Sequence, residues 1–566
     1  MGEKLKSDRV DKRTAPRDCL TMNLFAPGMT ILHRAGLGGV VSSLRYIERA
    51  WKSDVILPEE LPGGSWVDDK LPWDVSSQSV TLRFGDPKGA REFLRRLFRL
   101  SFRLKDGLLY LPGQYGDMPP SLAVRAEIQA GLTLTFLQHG KTRKLAKNPT
   151  SYQVDPEGDG RPVTVEYKTC EWYKHQDGWG DLTDEKSGAL TNKPVEIIGP
   201  LNPGAVVRHV AFSRDTRIEE SPERALPLYF ALVGCLALPV NRGMGVLVVP
   251  DVEDLTAFAV DRPLMTPSSM KECRIASAGD AALQAQVRLR ARGLIDYNGL
   301  PACYSARFRP TTWASQQKSR VETLFIPRLE TPRHQCPEDS QDEKNLHLFE
   351  TALSILSPRI GMKTEKETHG TGNSKRIVER ERYFWIDNPV RPLLADNLAT
   401  GQLWYRDFVR LCRGKGSFQN LGYQQQGLHE MTEQPSALSE AERVLVSSIH
   451  QAIRNNLGRI RKETDGDQPL SQATKNRWKR FRERLCLALV GAKTSDQCRN
   501  AICTLFANAG VLTELKDGWQ MVVPMLRDSR WMFTRDLALL ALASYARQEE
   551  ESIDETSPNS NSLAAR

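Results

Sequence analysis

No stretch of this sequence is apolar for the ~18 residues that a membrane-spanning helix needs, so a membrane-embedded class is set aside. The ten cysteines include no Cys-x-x-Cys pair, and the closest two, Cys498 and Cys503, have no second ligand pair at zinc-site spacing. Neither a structural zinc nor a disulfide framework follows; scattered cysteines of this kind read as small buried hydrophobes. No complete phosphate-loop motif is present, the glycine turn at Gly36, Gly38 and Gly39 has neither the Gly-Lys-Ser/Thr ending nor the third glycine of a dinucleotide fingerprint, and there is no His-Asp doublet and no His-x-x-x-His pair. Helicase, HD-type nuclease and zincin chemistries therefore have no residues to stand on, and neither a cofactor nor a catalytic centre is expected. The first residues (MGEKLKSDRVDKRTAPRD) have no apolar segment behind them, and Lys6 stands where a myristoylation signal needs Ser or Thr. A cytoplasmic location is expected.

What is present in quantity is positive charge. The 566 residues carry a net charge of +9 and an isoelectric point near 9.0, with ordinary apolar (40%) and charged (26%) content. A basic surplus on a long chain points to a polyanionic partner. The length calls for more than one domain.

Local patterning predicts an α+β protein: a mixed α/β body with short strands, then an all-α bundle. Residues 1–18 read as a disordered basic arm and 551–566 as a disordered tail, bracketing a body over 19–430 and a bundle over 431–550. In the body, strands are expected at Leu20–Phe25, Val80–Phe84, Leu108–Leu111, Val206–Phe212 and Val246–Val249. A glycine-rich turn (Gly36, Gly38, Gly39) is expected to open a helix carrying Val40, Leu44, Ile47 and Trp51; it reads as a tight structural turn or, on its free amides, a phosphate cradle. Ala225–Leu238 reads as a buried helix and Ala281–Arg292 as a basic one, while residues 331–345 and 361–374 read as loops. The bundle opens on the capping box Ser439/Glu442, followed by Leu445, Ile449, Ile453 and Leu457.

Six clusters carry chemistry. Arg91, Arg95 and Arg99 recur at helical spacing on one face, which is either solvated or anion-seeking. Lys141, Arg143, Lys144, Lys147 and Asn148 fall in a segment marked as a loop by Gly140 and Pro149, where cations can pair phosphates and an amide can reach a base edge. Trp172 and Lys174, with Tyr167, Lys168, Tyr173, His175 and Trp179 around them, alternate rings with charge, as stacking on unpaired bases requires; core aromatics at strand spacing look the same. Arg307 and Arg309 would share one strand face with Phe308 inward, and Lys318 follows. Lys475, Arg477, Lys479, Arg480, Arg482 and Arg484 crowd a helix with Glu483 as the opposing charge, a composition better explained by nucleic acid than by an ordinary surface. Asp251, Glu253 and Asp254 follow a buried strand, where metal nucleases place carboxylates; alone they read as a turn and helix cap.

Taken in order, the strings Asn23–Gly39, Phe136–His139, Val207–Phe212, Glu219–Ala225, Val246–Leu255 and Val390–Ala399 resemble the large subunit of a type I CRISPR surveillance complex (Cascade), of the I-B-like variant labelled MYXAN. The resemblance spans about residue 20 to residue 548. It implies a non-catalytic subunit near the crRNA 5′ handle that reads the protospacer-adjacent motif (PAM) on target DNA, wedges the duplex and helps recruit a helicase-nuclease or a transposition adaptor, while guide pairing reads the rest of the target. The implied partners are crRNA, target DNA and the backbone, handle-binding and small subunits, with no membrane. It also implies a helical segment translated separately from an internal start, for which Met431 is the candidate. The competing readings are a metal-dependent nucleic-acid-processing enzyme and an RNA-binding scaffold outside any CRISPR system.

Overall fold

The long Ile31–Lys52 helix is the spine of the N-terminal part, and its glycines decide how it packs. Gly36, Gly38 and Gly39 are not a turn before the helix but its buried second and third turns. A Cβ on Gly36 would sit 1.9 Å from the Pro227 carbonyl oxygen, and one on Gly39 would sit 2.3 Å from that of Phe230. Across the interface, a Cβ on Gly234 would meet the Ala35 carbonyl oxygen at 1.8 Å. The Ile31–Lys52 and Pro222–Gly234 helices thus touch backbone to backbone, and only glycine permits it. Amides inside a helix are already committed to its own hydrogen bonds, so the phosphate-cradle reading falls. The real N-terminus is capped by Thr30, which forms a capping box with His33.

The computed structural model describes residues 17–64, 71–204, 218–240, 243–292, 301–311, 314–328, 341–369, 376–414 and 416–546. The Val206–Phe212 strand expected from the sequence lies outside them, as do residues 1–16 and 547–566. Residues 17 and 18, assigned above to the arm, are held: Arg17 pairs with Glu223, and the Asp18 carbonyl accepts from Phe84 N at 2.8 Å. The fold is α+β, and the chain divides into two units, residues 1–343 with 358–387, and residues 344–357 with 388–566.

In the first unit the spine helix packs near an antiparallel sheet of Leu236–Val240, Met244–Pro250, Cys303–Thr311 and Ala314–Ile326, in that order. The helix expected over Ala225–Leu238 stops at Gly234, because residues from Leu236 on pair with Met244–Val248 as a strand. A second four-stranded sheet runs Arg359–His369, Arg376–Ile386, Val163–Tyr167, Thr150–Val154. Residues 361–369, expected as loop, are therefore strand: the polar composition belongs to a hairpin in register from Arg359↔Ile386 to His369↔Arg376, held by backbone pairing. Of the other loop, residues 341–345 form the first turn of the Gln341–Ile355 helix. The Ala278–Arg292 helix is basic but turned inward: Arg288 donates to the Met265 carbonyl at 2.9 Å, and Arg292 pairs with Glu272.

The second unit is helical: Glu440–Thr464, Gln472–Gly491, Ser495–Ala507, Thr513–Val522 and Trp531–Ser544 follow the shorter Arg391–Ala399 and Gln425–Glu433. The Thr513–Val522 helix is not legible in the sequence pattern. The Ser439/Glu442 box forms, Ser439 N donating to Glu442 Oε2 at 2.7 Å. Asp536, buried, accepts from Asp407 N at 2.8 Å and Val409 N at 3.2 Å, tying the last helix to the segment before the bundle.

Candidate nucleic-acid interface

Two of the sequence clusters meet in space. Arg143–Leu145 and Cys170–Tyr173 are neighbouring strands of a small antiparallel ribbon, with Lys144 opposite Trp172 and Arg143 opposite Tyr173. Lys141 stands exposed on the one-turn helix before it, Lys147 and Asn148 are exposed after its first strand, and Lys168 is exposed just before the return strand. Lys144 pairs with Glu171 at 2.5 Å, which raises its pKa through the hydrogen bond. The half-buried Trp172 donates Nε1–H to Asp177, and Lys174 pairs with Asp181 at 2.9 Å. Among the described residues Lys141, Lys147 and Lys168 form no ion pair, so the ribbon presents more cation than its own carboxylates neutralise.

Other members of these clusters are core. Tyr173 and His175 are fully buried, and His175 lies among the rings of Phe102, Phe136, Tyr173 and Tyr229 at 5.8–6.4 Å. Burial, with Lys174 adding to it, pushes its pKa down to about 3. Arg143 is half-buried, with Nη1 unpartnered, and burial lowers its pKa. Trp179 is covered by the Arg91 guanidinium, 4.7 Å from the ring centre, while Arg95 and Arg96 share Glu92. Of the Arg91/Arg95/Arg99 face, Arg99 remains exposed without an ion pair among the described residues.

On the Cys303–Thr311 strand Phe308 is buried, Arg309 is exposed, and Arg307 pairs with Glu322 of the adjacent strand at 2.9 Å. Lys318 stands opposite Pro310 in the same hairpin, its side chain outside the described residues. The Gln472–Gly491 helix splits its cations. Lys479, Arg480 and Arg484 are exposed and Lys475 is half-exposed, whereas Arg477 pairs with Glu463 and bonds Thr464 Oγ1. Arg482 turns inward, donating to the Leu542 carbonyl at 3.1 Å over the Phe418 ring, and burial lowers its pKa. Lys475, Lys479 and Arg482 line one side of a cleft of about 410 Å³ with Trp478, Phe418 and Tyr545. Met431 is wholly buried in the Gln425–Glu433 helix.

The acidic trio is engaged in other ways. Asp254 caps the Leu255–Asp261 helix by accepting from Thr256 N and Ala257 N, Asp251 pairs with Arg34 at 2.7 Å, and Glu253 pairs with Arg328. Among the described residues no group of three or more His, Cys, Asp or Glu side chains is placed to hold a metal, and no helix is long and apolar enough to cross a membrane.

Comparison with known proteins fixes the kinship. Residues 21–229 match the model of the DevT N-terminal domain and residues 433–564 that of the DevT C-terminal domain. The chain is 33% identical over 552 residues to the CRISPR-associated protein Cas8a1/Csx13 of Myxococcus xanthus (strain DK1622), covering 93% of this chain and 88% of that one. The chain belongs to the Cas8a1/Csx13 family. A scaffold foreign to CRISPR systems is thereby set aside. The two domain matches contain the Arg143–Tyr173 ribbon and the basic Gln472–Gly491 helix, one in each unit.

Proposed function

We propose that the chain is the large subunit of a type I CRISPR effector, of the I-B-like kind. It binds PAM-proximal target DNA and the crRNA 5′ handle, helps open the duplex and recruits a helicase-nuclease or transposition adaptor. Chemistry is left to that recruit, and the complex works in the cytoplasm with backbone, handle-binding and small subunits. The observation that carries this reading is the kinship along nearly the whole chain. Surface electrostatics support it. Lys141, Lys144, Lys147 and Asn148 beside Trp172 and Lys174, the Arg307/Arg309 strand with Lys318, and Lys475, Lys479, Arg480 and Arg484 are the proposed DNA- and RNA-binding residues. The engagement of Asp251, Glu253 and Asp254 by arginines and helix amides favours a structural role for them over a metal-dependent one.

The test is target binding by the complex reconstituted with guide RNA. A residue that pairs phosphate acts on all sequences alike, and its removal lowers the log–log salt slope on duplex DNA by ~0.9 for each phosphate no longer neutralised; Lys144→Ala and Arg480→Ala are expected to behave so. A PAM-reading residue instead changes preference at one position, by about 1–3 kcal/mol for a bidentate pair; Arg309→Ala is the variant to examine. Unchanged binding in all three, with loss of a Mg²⁺-dependent cleavage in Asp251→Ala, would overturn the reading. A small product starting at Met431 belongs to the same proposal. Intact-mass measurement of the purified complex should find it, and Met431→Ile should remove it.

A further inference from the structure

The sheet containing the Arg359–Ile386 hairpin has two unlike faces. On one, Tyr152, Val154, Val165, Tyr167 and Trp385 pack on a core that includes Leu108, Ala126 and Met270. Side chains alternate along a strand, so Arg382, Phe384 and Ile386 point the other way, together with their cross-strand partners Lys363, Gly361 and Arg359. Nothing among the described residues of the first unit covers this side: Phe384 is 42% and Ile386 46% exposed, and the Lys363 and Arg382 side chains are 59% and 60% exposed. Gly361 makes room for the apolar pair, since a Cβ there would meet Ile386 Cδ1 at 2.4 Å and Phe384 Cζ at 3.5 Å. The charges around the pair are unbalanced. Lys363 and Arg382 stand directly opposite each other in register, an arrangement that destabilises a ladder unless an anion joins it. Glu365 serves both, 3.5 Å from Arg382 and 4.0 Å from Lys363, and the exposed Arg359 has no ion pair among the described residues.

We propose that this outer sheet face binds single-stranded nucleic acid, with one unpaired base stacked on Phe384 and the flanking phosphates on Lys363 and Arg382. An exposed ring between cations on a flat sheet offers a stacking platform and phosphate partners side by side. A duplex cannot use the ring, because its bases are stacked on one another. The inference rests on the nucleic-acid reading above and adds a surface that reading does not contain.

The experiment is fluorescence anisotropy of the full chain with single strands of RNA and of DNA of one sequence, across a salt series. Lys363→Gln/Arg382→Gln should lower the salt slope by ~1.4, two phosphates at ~0.7 each on a single strand. Phe384→Ala should weaken binding about 5- to 160-fold. Weaker binding of both strands marks shared backbone-and-stacking chemistry; weaker binding of RNA alone marks reading of the 2′-hydroxyl. Photocrosslinking of a thio-substituted strand to the unaltered chain gives a readout independent of variant folding and should label the hairpin at Phe384. If the chain binds strands, the variants bind equally well and crosslinks fall elsewhere, this proposal is wrong while the broader reading stands. If the unaltered chain binds no strand alone or in its complex, both fall. Variants that bind strands normally but no longer hold a neighbouring subunit would make the face a protein interface and overturn the proposal.

Discussion

At the scale of single residues, burial separates groups that look alike in the sequence. His175 sits in a cage of rings with its pKa pushed to about 3, and the half-buried ring of His450 is pushed to about 4, both mainly by desolvation. Both values lie below the ordinary 6.5, so between these pH limits the unfolded chain binds protons that the native state refuses. Stability from these histidines is complete above pH 6.5 and drains as the pH falls toward 4, with a slope of up to about 1.4 kcal/mol per pH unit for each group. Thermal melts at about pH 7.5 and about pH 5 should show the loss, and His175→Leu should reduce the difference between them. An unchanged difference would mean that the ring is solvated. The sequence shows His175 inside an aromatic-basic string but not which of those rings face inward, because that depends on strands and helices contributed from elsewhere in the chain.

At the scale of elements, two helices make the point in opposite directions. The glycines of Ile31–Lys52 mimic a turn signal, yet they serve a backbone-to-backbone crossing with Pro222–Gly234. Gly36→Ala should therefore cost about 1–3 kcal/mol or more as a packing clash, although alanine is the better helix former. A denaturant midpoint measures it, and a gain in stability would contradict the crossing geometry. In Gln472–Gly491 the cationic residues crowd together in sequence but part company in space. Arg480→Ala should leave melting nearly unchanged and lower nucleic-acid affinity and its salt slope. Arg482→Ala should lower the melting temperature, because it removes the bond to Leu542 and empties a space beside Phe418. Equal effects of both variants on both readouts would refute the division.

At the scale of the whole molecule, the second unit draws on two stretches of chain: residues 344–357, which hold most of the Gln341–Ile355 helix, and residues 388–566, which run through the shorter helices into the bundle. A product beginning at Met431 would lack Asp407 and Val409, which donate to buried Asp536, and Trp404, whose Nε1–H bonds the Ala437 carbonyl at 2.9 Å. An isolated fragment from 431 onward should consequently melt well below a version that retains residues 388–430, since a buried carboxylate that loses its two backbone donors and keeps only Arg535 costs about 1–3 kcal/mol or more. Calorimetry of the two fragments checks this. Equal melting temperatures would show that the bundle needs nothing before Met431.

Local signals are legible wherever a single segment decides the outcome. The Ser439/Glu442 box, the strand alternation of Arg307, Phe308 and Arg309, most helices of the bundle and the basic surplus all follow from spacing and charge along the chain. The tertiary structure alone decided which cations remain available to a partner, that Lys144 faces Trp172, that three glycines lie inside a helix crossing, and that a polar stretch after residue 360 is a hairpin. The reason is the range of the interaction. A cap or an alternation is settled within a few residues, whereas burial, ion pairing and backbone packing depend on groups far along the chain, and no local pattern records where those groups arrive.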